Sequence, residues 1–175
     1  MTQNARLVLQ DAKFAIDKHN NKLRGESFRI SWFSIIGLLR AVGHVLENVD
    51  AKLSDPLNKA IKEKWDELKN TKPEPRIYWE FIKKERDRFL KNYQHGINRG
   101  IYFKLELDEM PATITIKVDT ANSRGRGGVT KDEARSYIAD GRYQGKNEKE
   151  IALEAYYWWK DYLDEIDEKA KEYSS

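Results

Sequence analysis

The residues best suited to chemistry lie between positions 76 and 104. This stretch carries eight Lys/Arg against three Asp/Glu, with aromatic side chains interleaved. Arg86, Arg88, Lys91, Tyr93 and His95 follow one another within it. On a helix Arg86, Lys91 and Tyr93 are spaced so that the first and last fall on nearly one face. A cationic side chain beside a phenol suits a phosphate or an RNA backbone. The same charges also read as a solvated helix face laced by i,i+3 and i,i+4 pairs.

A second candidate is Arg40-Ala41-Val42-Gly43-His44. Arg40 and His44 are one turn apart and share a face, yet they sit in the most apolar segment of the chain. A buried guanidinium demands a carboxylate, and Glu85 and Asp87 are candidate partners. Gly43 would let another helix approach closely. The arrangement reads either as a polar network that fixes helix packing or as a polar pocket. In the second case Glu85, Arg86 and Tyr93 would join Arg40 and His44, with Arg29 extending the site.

The run Arg86-Asp87-Arg88-Phe89-Leu90-Lys91-Asn92-Tyr93 resembles the signature of the HEPN superfamily, a helical-bundle group rich in ribonucleases. That signature is Arg, a polar residue, spacers and then His, with Tyr two residues further in one subgroup. Lys91 stands here at the His position. Arg88 and His95, with six residues between them, fit the looser spacing of the same signature, and the two registers are alternatives. The resemblance spans helices 2 to 4. It implies an RNA-binding protein or a metal-independent endoribonuclease of toxin or defence type, needing no cofactor and working as a homodimer. In the Arg88 register, His95 would be the base or acid for 2′-hydroxyl attack and Arg88 the phosphate clamp. In the Arg86 register, Arg86, Lys91 and Tyr93 would bind without cleaving, because lysine is a poor base unless its pKa falls far. A non-enzymatic interaction protein or homodimer is the alternative from another class.

Two further features are weaker. Arg124-Gly125-Arg126-Gly127-Gly128 could hold an anion on backbone amides, but it lacks the Lys-Ser/Thr ending of a phosphate-binding loop and reads as a connector. Tyr156-Tyr157-Trp158-Trp159 reads as core plus a partner interface. His19, beside Asn20 and Asn21, is expected to face solvent.

These candidates need elements to hold them. Apolar periodicity predicts helices over about Gln3–Lys22, from Ser27 or Ser31 to Leu53, from Ser54 to about Asn70, and over Pro75–Gln94. Leu7, Leu9, Ala12, Phe14, Ala15 and Ile16 form the first stripe. Period-two alternation at Ile101–Leu107 and Ile114–Val118 predicts a β-hairpin across Asp108-Glu109-Met110-Pro111. A capping box at Thr130-Lys131-Asp132-Glu133 predicts a short helix ending at Asp140-Gly141. The last helix runs from about Glu148 to Tyr173. The expected fold is mainly α (α+β): a bundle of four long helices (1–100), followed by a hairpin, a loop and C-terminal helices (101–175), all in one domain.

Composition narrows the chemistry. The 175 residues include no Cys and three His, so thiolate chemistry and disulfides are excluded and a closed zinc site is not expected. There is no Gly-x-Ser-x-Gly, His-Glu-x-x-His or dinucleotide fingerprint. The apolar run from Ile30 is broken at Arg40, and no leader is evident near the N-terminus, so a cytoplasmic protein without a membrane partner is expected. The net charge of +3 conceals a split. Residues 1–100 hold 20 Lys+Arg against 13 Asp+Glu, whereas 101–175 hold 12 against 16. That asymmetry suits either an RNA or other polyanion on the basic part, or two solvated faces lying together.

Overall fold

The structure is a computed structural model describing residues 1–100, 105–107, 110–112 and 135–174. Among these, helices dominate: α1 (Gln3–Lys18), α2 (Gly25–Asn48), α3 (Asp55–Asn70), α4 (Lys83–Asn92) and α5 (Glu148–Glu172). A 3-10 turn at Asp50–Lys52 joins α2 to α3, and a π-helical segment at Ile77–Ile82 runs directly into α4. Four strands, β1 (Ile97–Gly100), β2 (Leu105–Leu107), β3 (Met110–Ala112) and β4 (Arg135–Ile138), form two antiparallel pairs, β1–β4 and β2–β3. The mainly α fold with an inserted hairpin is as the sequence predicts.

The chain clusters into two compact units, Met1–His95 with Lys149–Ser175, and Gly96–Glu148. α5, grouped with the hairpin from sequence, thus falls with the other helices.

In the helical unit, α1 buries Ala5, Leu9, Ala12 and Ile16 at helical spacing. Leu7 and Phe14, expected in the same stripe, project from the other side and are 59% and 65% exposed. α1 also stops at Lys18, short of the predicted Lys22. Its neighbour His19 is buried, against expectation. The His19 Nδ1 lies 2.8 Å from Ser31 Oγ, and its ring packs on Phe28 and Trp32 of α2. Ser31 therefore binds a side chain and does not cap α2, which begins at Gly25.

α2 is the central helix. Trp32, Ile35, Ile36, Leu39, Val42 and Leu46 are all buried. Gly25–Lys52 is long and apolar enough to resemble a membrane span, a property it shares with core helices of its kind. Gly43 is where α5 comes close: a Cβ there would stand 3.0 Å from Trp159 Cη2. α3 starts as its sequence signals indicate, with the Leu57 N–H donating to Ser54 Oγ at 3.4 Å and Pro56 in the first turn.

The N-terminus of α1 is held by carboxylates from two distant places in the chain. Asp50, fully buried, accepts from the Asn4 N–H at 3.1 Å, the Asn4 side-chain amide at 2.8 Å and the Ala5 N–H at 2.9 Å. Asp167 of α5 accepts from the Thr2 N–H at 2.7 Å and the Thr2 hydroxyl at 3.0 Å. Arg6 reaches across to Asp167 at 2.8 Å and Asp164 at 2.7 Å. The first backbone amides of a helix lack intrahelical acceptors, and the helix dipole favours negative charge there. α3 and α5 are joined by Lys64–Glu165 at 2.8 Å and by Lys169 to Glu63 and Glu67 at 2.6 and 3.3 Å.

In the second unit, β1 and β4 pair in the register Ile97↔Ile138 to Gly100↔Arg135. β4 lies where a short helix is expected from the capping box. Thr130–Glu133 lie outside the described residues, but Arg135–Ile138 is extended. A single helical turn is costly to nucleate, and pairing with β1 satisfies the backbone instead. Beyond it, Gly141 and Gly145 take positive φ of 78° and 82°, and the Gly145 N–H returns to the Ile138 carbonyl at 2.9 Å. The hairpin is tighter than expected, since Met110 and Pro111 belong to β3 in the register Leu105↔Ala112, Leu107↔Met110. Glu106 is paired with Pro111 in that register. Ile101, Phe103, the Ile114–Val118 run and the Arg124–Gly128 loop lie outside the described residues.

Replacing Asp50 by Ala should cost about 3 kcal/mol in chemical denaturation, because two helix-terminal amides lose a buried charged acceptor. Acid should weaken the helical unit in a defined direction. Hydrogen bonds from Lys169, Lys64 and Arg6 hold Glu63, Glu67 and Asp164, respectively, below the usual carboxylate range. Groups of that kind contribute stability that is complete above the unfolded carboxylate pKa of about 4 and is lost as pH falls through the lowered folded values. Urea midpoints measured from neutral pH downward should be flat at first and then decline below that point.

Candidate functional site

The predicted site residues do not form one cluster. They divide among three settings within the helical unit.

The first is a buried anchor. Arg88 donates to Glu85 at 3.0 Å, and Glu85 also accepts from the Trp32 indole N–H at 3.3 Å. Glu85 is 4% exposed. A carboxylate this deeply buried on the inner side of α4, beside the Trp32 indole, requires a cation. Arg88 fills that role. Arg86, one position outside this inner face, is more exposed and pairs with its neighbour Asp87 at 2.8 Å.

The second setting is the end of α4. The helix closes not at Gly96 but at Tyr93, which adopts the left-handed conformation with φ 53°. Non-glycine residues carry a strain cost there of about 1–3 kcal/mol. The Tyr93 ring lies 5.3 Å from Phe33 and 5.7 Å from Phe89, and Phe33 stacks on Phe89 at 3.9 Å. The Arg29 guanidinium stands over the Tyr93 ring at 5.6 Å, and its Nε is buried without a hydrogen-bond partner. His95 joins the group edge-on to Phe28 at 5.4 Å. Tyr93 is nonetheless 61% exposed. Lys91, two residues before it, is exposed and makes no ion pair among the described residues.

The third setting surrounds Tyr78 in the π-helical segment. Ile77, Tyr78, Phe81 and Ile82 are all buried. The wider π turn brings both residues of each adjacent pair inward. The Tyr78 ring contacts Trp65, Trp79, Trp158 and Trp159 at centroid distances of 4.9 to 5.8 Å. Burial raises the Tyr78 phenol pKa, and the positive charges of Arg40 and Arg86 partly offset that. Arg40 meets neither Glu85 nor Asp87. Its Nη1 is buried with no hydrogen-bond partner, close to Gly43 and Trp159. His44, on the exposed side of α2, pairs with the Asn48 side chain at 3.2 Å.

The pocket expected from Arg40, His44, Glu85, Arg86 and Tyr93 is therefore not assembled. Glu85 is committed to Trp32 and Arg88, and His44 points away. The meeting of Phe33 with Phe89 and Tyr93, and of Phe28 with His95, is not evident from the sequence. Its signal is the spacing Phe28–Phe33 on α2 opposite Phe89–Tyr93 on α4, two aromatic pairs whose meeting depends on helix packing. No group of His, Asp or Glu among the described residues is arranged to hold a metal ion.

If Arg88 neutralises a buried carboxylate and Arg86 does not, their removal should differ sharply. Arg88→Ala should lose about 2–3 kcal/mol of stability, and Arg86→Ala less than about 0.5 kcal/mol. Thermal unfolding of the two variants side by side measures this.

No family model, no curated protein and no solved structure matches this chain.

Proposed function

We propose that the helical unit binds single-stranded RNA or a similar phosphate polyanion through the exposed Tyr93 ring, with Arg29, Arg86 and Lys91 supplying positive charge. The observation that carries this reading is the exposed phenol at the left-handed end of α4, seated on Phe33 and overlain by a guanidinium. A rigid aromatic face flanked by cations is what unpaired bases and their phosphates require. The basic excess of residues 1–100 favours an anion, although α5 in the same unit carries more acidic than basic residues. This agrees with the HEPN-like resemblance in its binding register, that of Arg86, Lys91 and Tyr93.

Cleavage has less support. In the other register Arg88 would clamp the phosphate and His95 would move the proton. Arg88 would first have to leave Glu85, whereas binding at Tyr93 requires no rearrangement.

One observation favours a second reading, a homodimer or protein interface. Ile30, Leu90 and Tyr93 are all large, apolar and more than half exposed on α2 and α4. Light scattering distinguishes this reading, since a strict monomer across the working concentration range counts against it.

RNA binding is tested by fluorescence anisotropy with a short labelled oligoribonucleotide. Affinity should fall steeply with salt, and Lys91→Ala should reduce the slope of log K against log salt by roughly 0.7. Tyr93→Gly fits the left-handed backbone and removes only the ring, and it should weaken binding by roughly tenfold or more. A flat salt response would remove the nucleic-acid reading. RNA cleaved by the wild type and spared by His95→Ala would restore the catalytic one.

A further inference from the structure

We propose that a cavity between α3 and α5 is a binding site for a small aliphatic ammonium ion. The cavity measures about 240 Å³, and its lining includes Lys64 and Glu67 of α3 and Trp158, Asp161, Tyr162 and Glu165 of α5. It shares no residue with the Tyr93 platform.

Three independent features define the ligand. The first is charge. Three carboxylates line the cavity against a single ammonium, Lys64, which bridges Glu67 and Glu165 at 2.7 and 2.8 Å. Asp161 makes no ion pair among the described residues. Lys169 also reaches Glu67 at 3.3 Å, so Lys64 and Lys169 answer Glu67 and Glu165, and Asp161 is the carboxylate left available to a cation.

The second feature is an unmet hydrogen-bonding group. Tyr162 is only 7% exposed, and its buried hydroxyl has no hydrogen-bond partner. Burying a hydroxyl without a partner costs free energy, so such a group calls for an explanation. Burial also raises the Tyr162 pKa far above its ordinary value, so the phenol stays protonated and neutral. Its oxygen can accept a hydrogen bond from an N–H donor.

The third feature is the wall. Trp158 and Tyr162 lie 5.3 Å apart with their planes inclined by 30°, giving a broad aromatic surface. An alkyl chain packs on such a surface, and an ammonium is attracted to its π face. The Lys64 ammonium already stands 5.9 Å from the Tyr162 ring centre. The protein's own side chain thus shows the mode in which a ligand amine would be held. A cationic ligand would add an ion pair with Asp161 that a neutral one cannot make.

Titration calorimetry of the full chain with n-butylammonium chloride tests the assignment, with n-butanol and sodium butyrate as neutral and anionic counterparts at matched ionic strength. Butylammonium should saturate, butanol should bind roughly tenfold more weakly, and butyrate should not bind. Tyr162→Phe and Asp161→Asn should each weaken butylammonium roughly three- to tenfold. Tyr162→Phe removes only an unpaired hydroxyl, so its melting temperature should not fall. Asp161 is exposed, and its variant carries the test if Tyr162→Phe does not fold. Absent saturation, equal binding of butanol and butylammonium, or binding unchanged in Asp161→Asn would each overturn the proposal.

Discussion

The helical unit depends on how the first turn of α1 is terminated. That turn has no acidic residue of its own, and Thr2 makes no side-chain cap. Its unsatisfied amides are met instead by Asp50, 45 or more positions away, and by Asp167, near the other end of the chain. Each carboxylate lies deep enough that water cannot replace the amides it binds, and the amides cannot be buried without the carboxylates. The arrangement works only if the α2–α3 turn, the start of α1 and the last turns of α5 are all in place together. Local helix formation is thereby converted into a tertiary requirement.

Fixing α5 in this way determines what its middle can do. Trp159 is held against Gly43 of α2, where a Cβ would stand 3.0 Å from the indole and require it to give by a few tenths of an ångström. The same placement sets Trp158 and Trp159 around Tyr78 and aligns the acidic side of α5 with Lys64. Ion pairs along that seam are half-exposed and individually weak. Their effect is to select one alignment among several that the aromatic packing alone would tolerate.

The sequence was legible where a signal is local. The α3 start at Ser54-Asp55-Pro56 and the central position of α2 both follow from neighbouring residues alone, as does the long C-terminal helix. It was not legible where the answer depends on a distant partner. Asp50 looks like the tail of a helix until α1 is laid against it. His19 looks solvated until Ser31 and Phe28 arrive. Arg135–Ile138 looks like the body of a helix because its capping signal is local and its strand partner is not. The candidate residues show the same division. Helix spacing places Arg86 and Arg88 on nearly opposite faces, but only packing reveals that Arg88 neutralises a buried carboxylate and Arg86 stays near the surface. The α3–α5 cavity escaped notice because an i, i+3, i+4, i+7 row mixing acids with aromatics reads as neither core nor surface. Trp158, Asp161, Tyr162 and Glu165 form such a row, and Lys64, Glu67, Leu68 and Thr71 form its counterpart.

The π-helical segment before α4 makes this stretch tolerant of length. A π turn closes its hydrogen bond one residue later than an α turn. Passing an extra residue onward would instead rotate everything downstream by about 100°. Between Ile77 and Ile82 the widened turn keeps four of its six side chains buried. A chain one residue shorter, with an ordinary α turn here, would present the same inner face of α4 to α2.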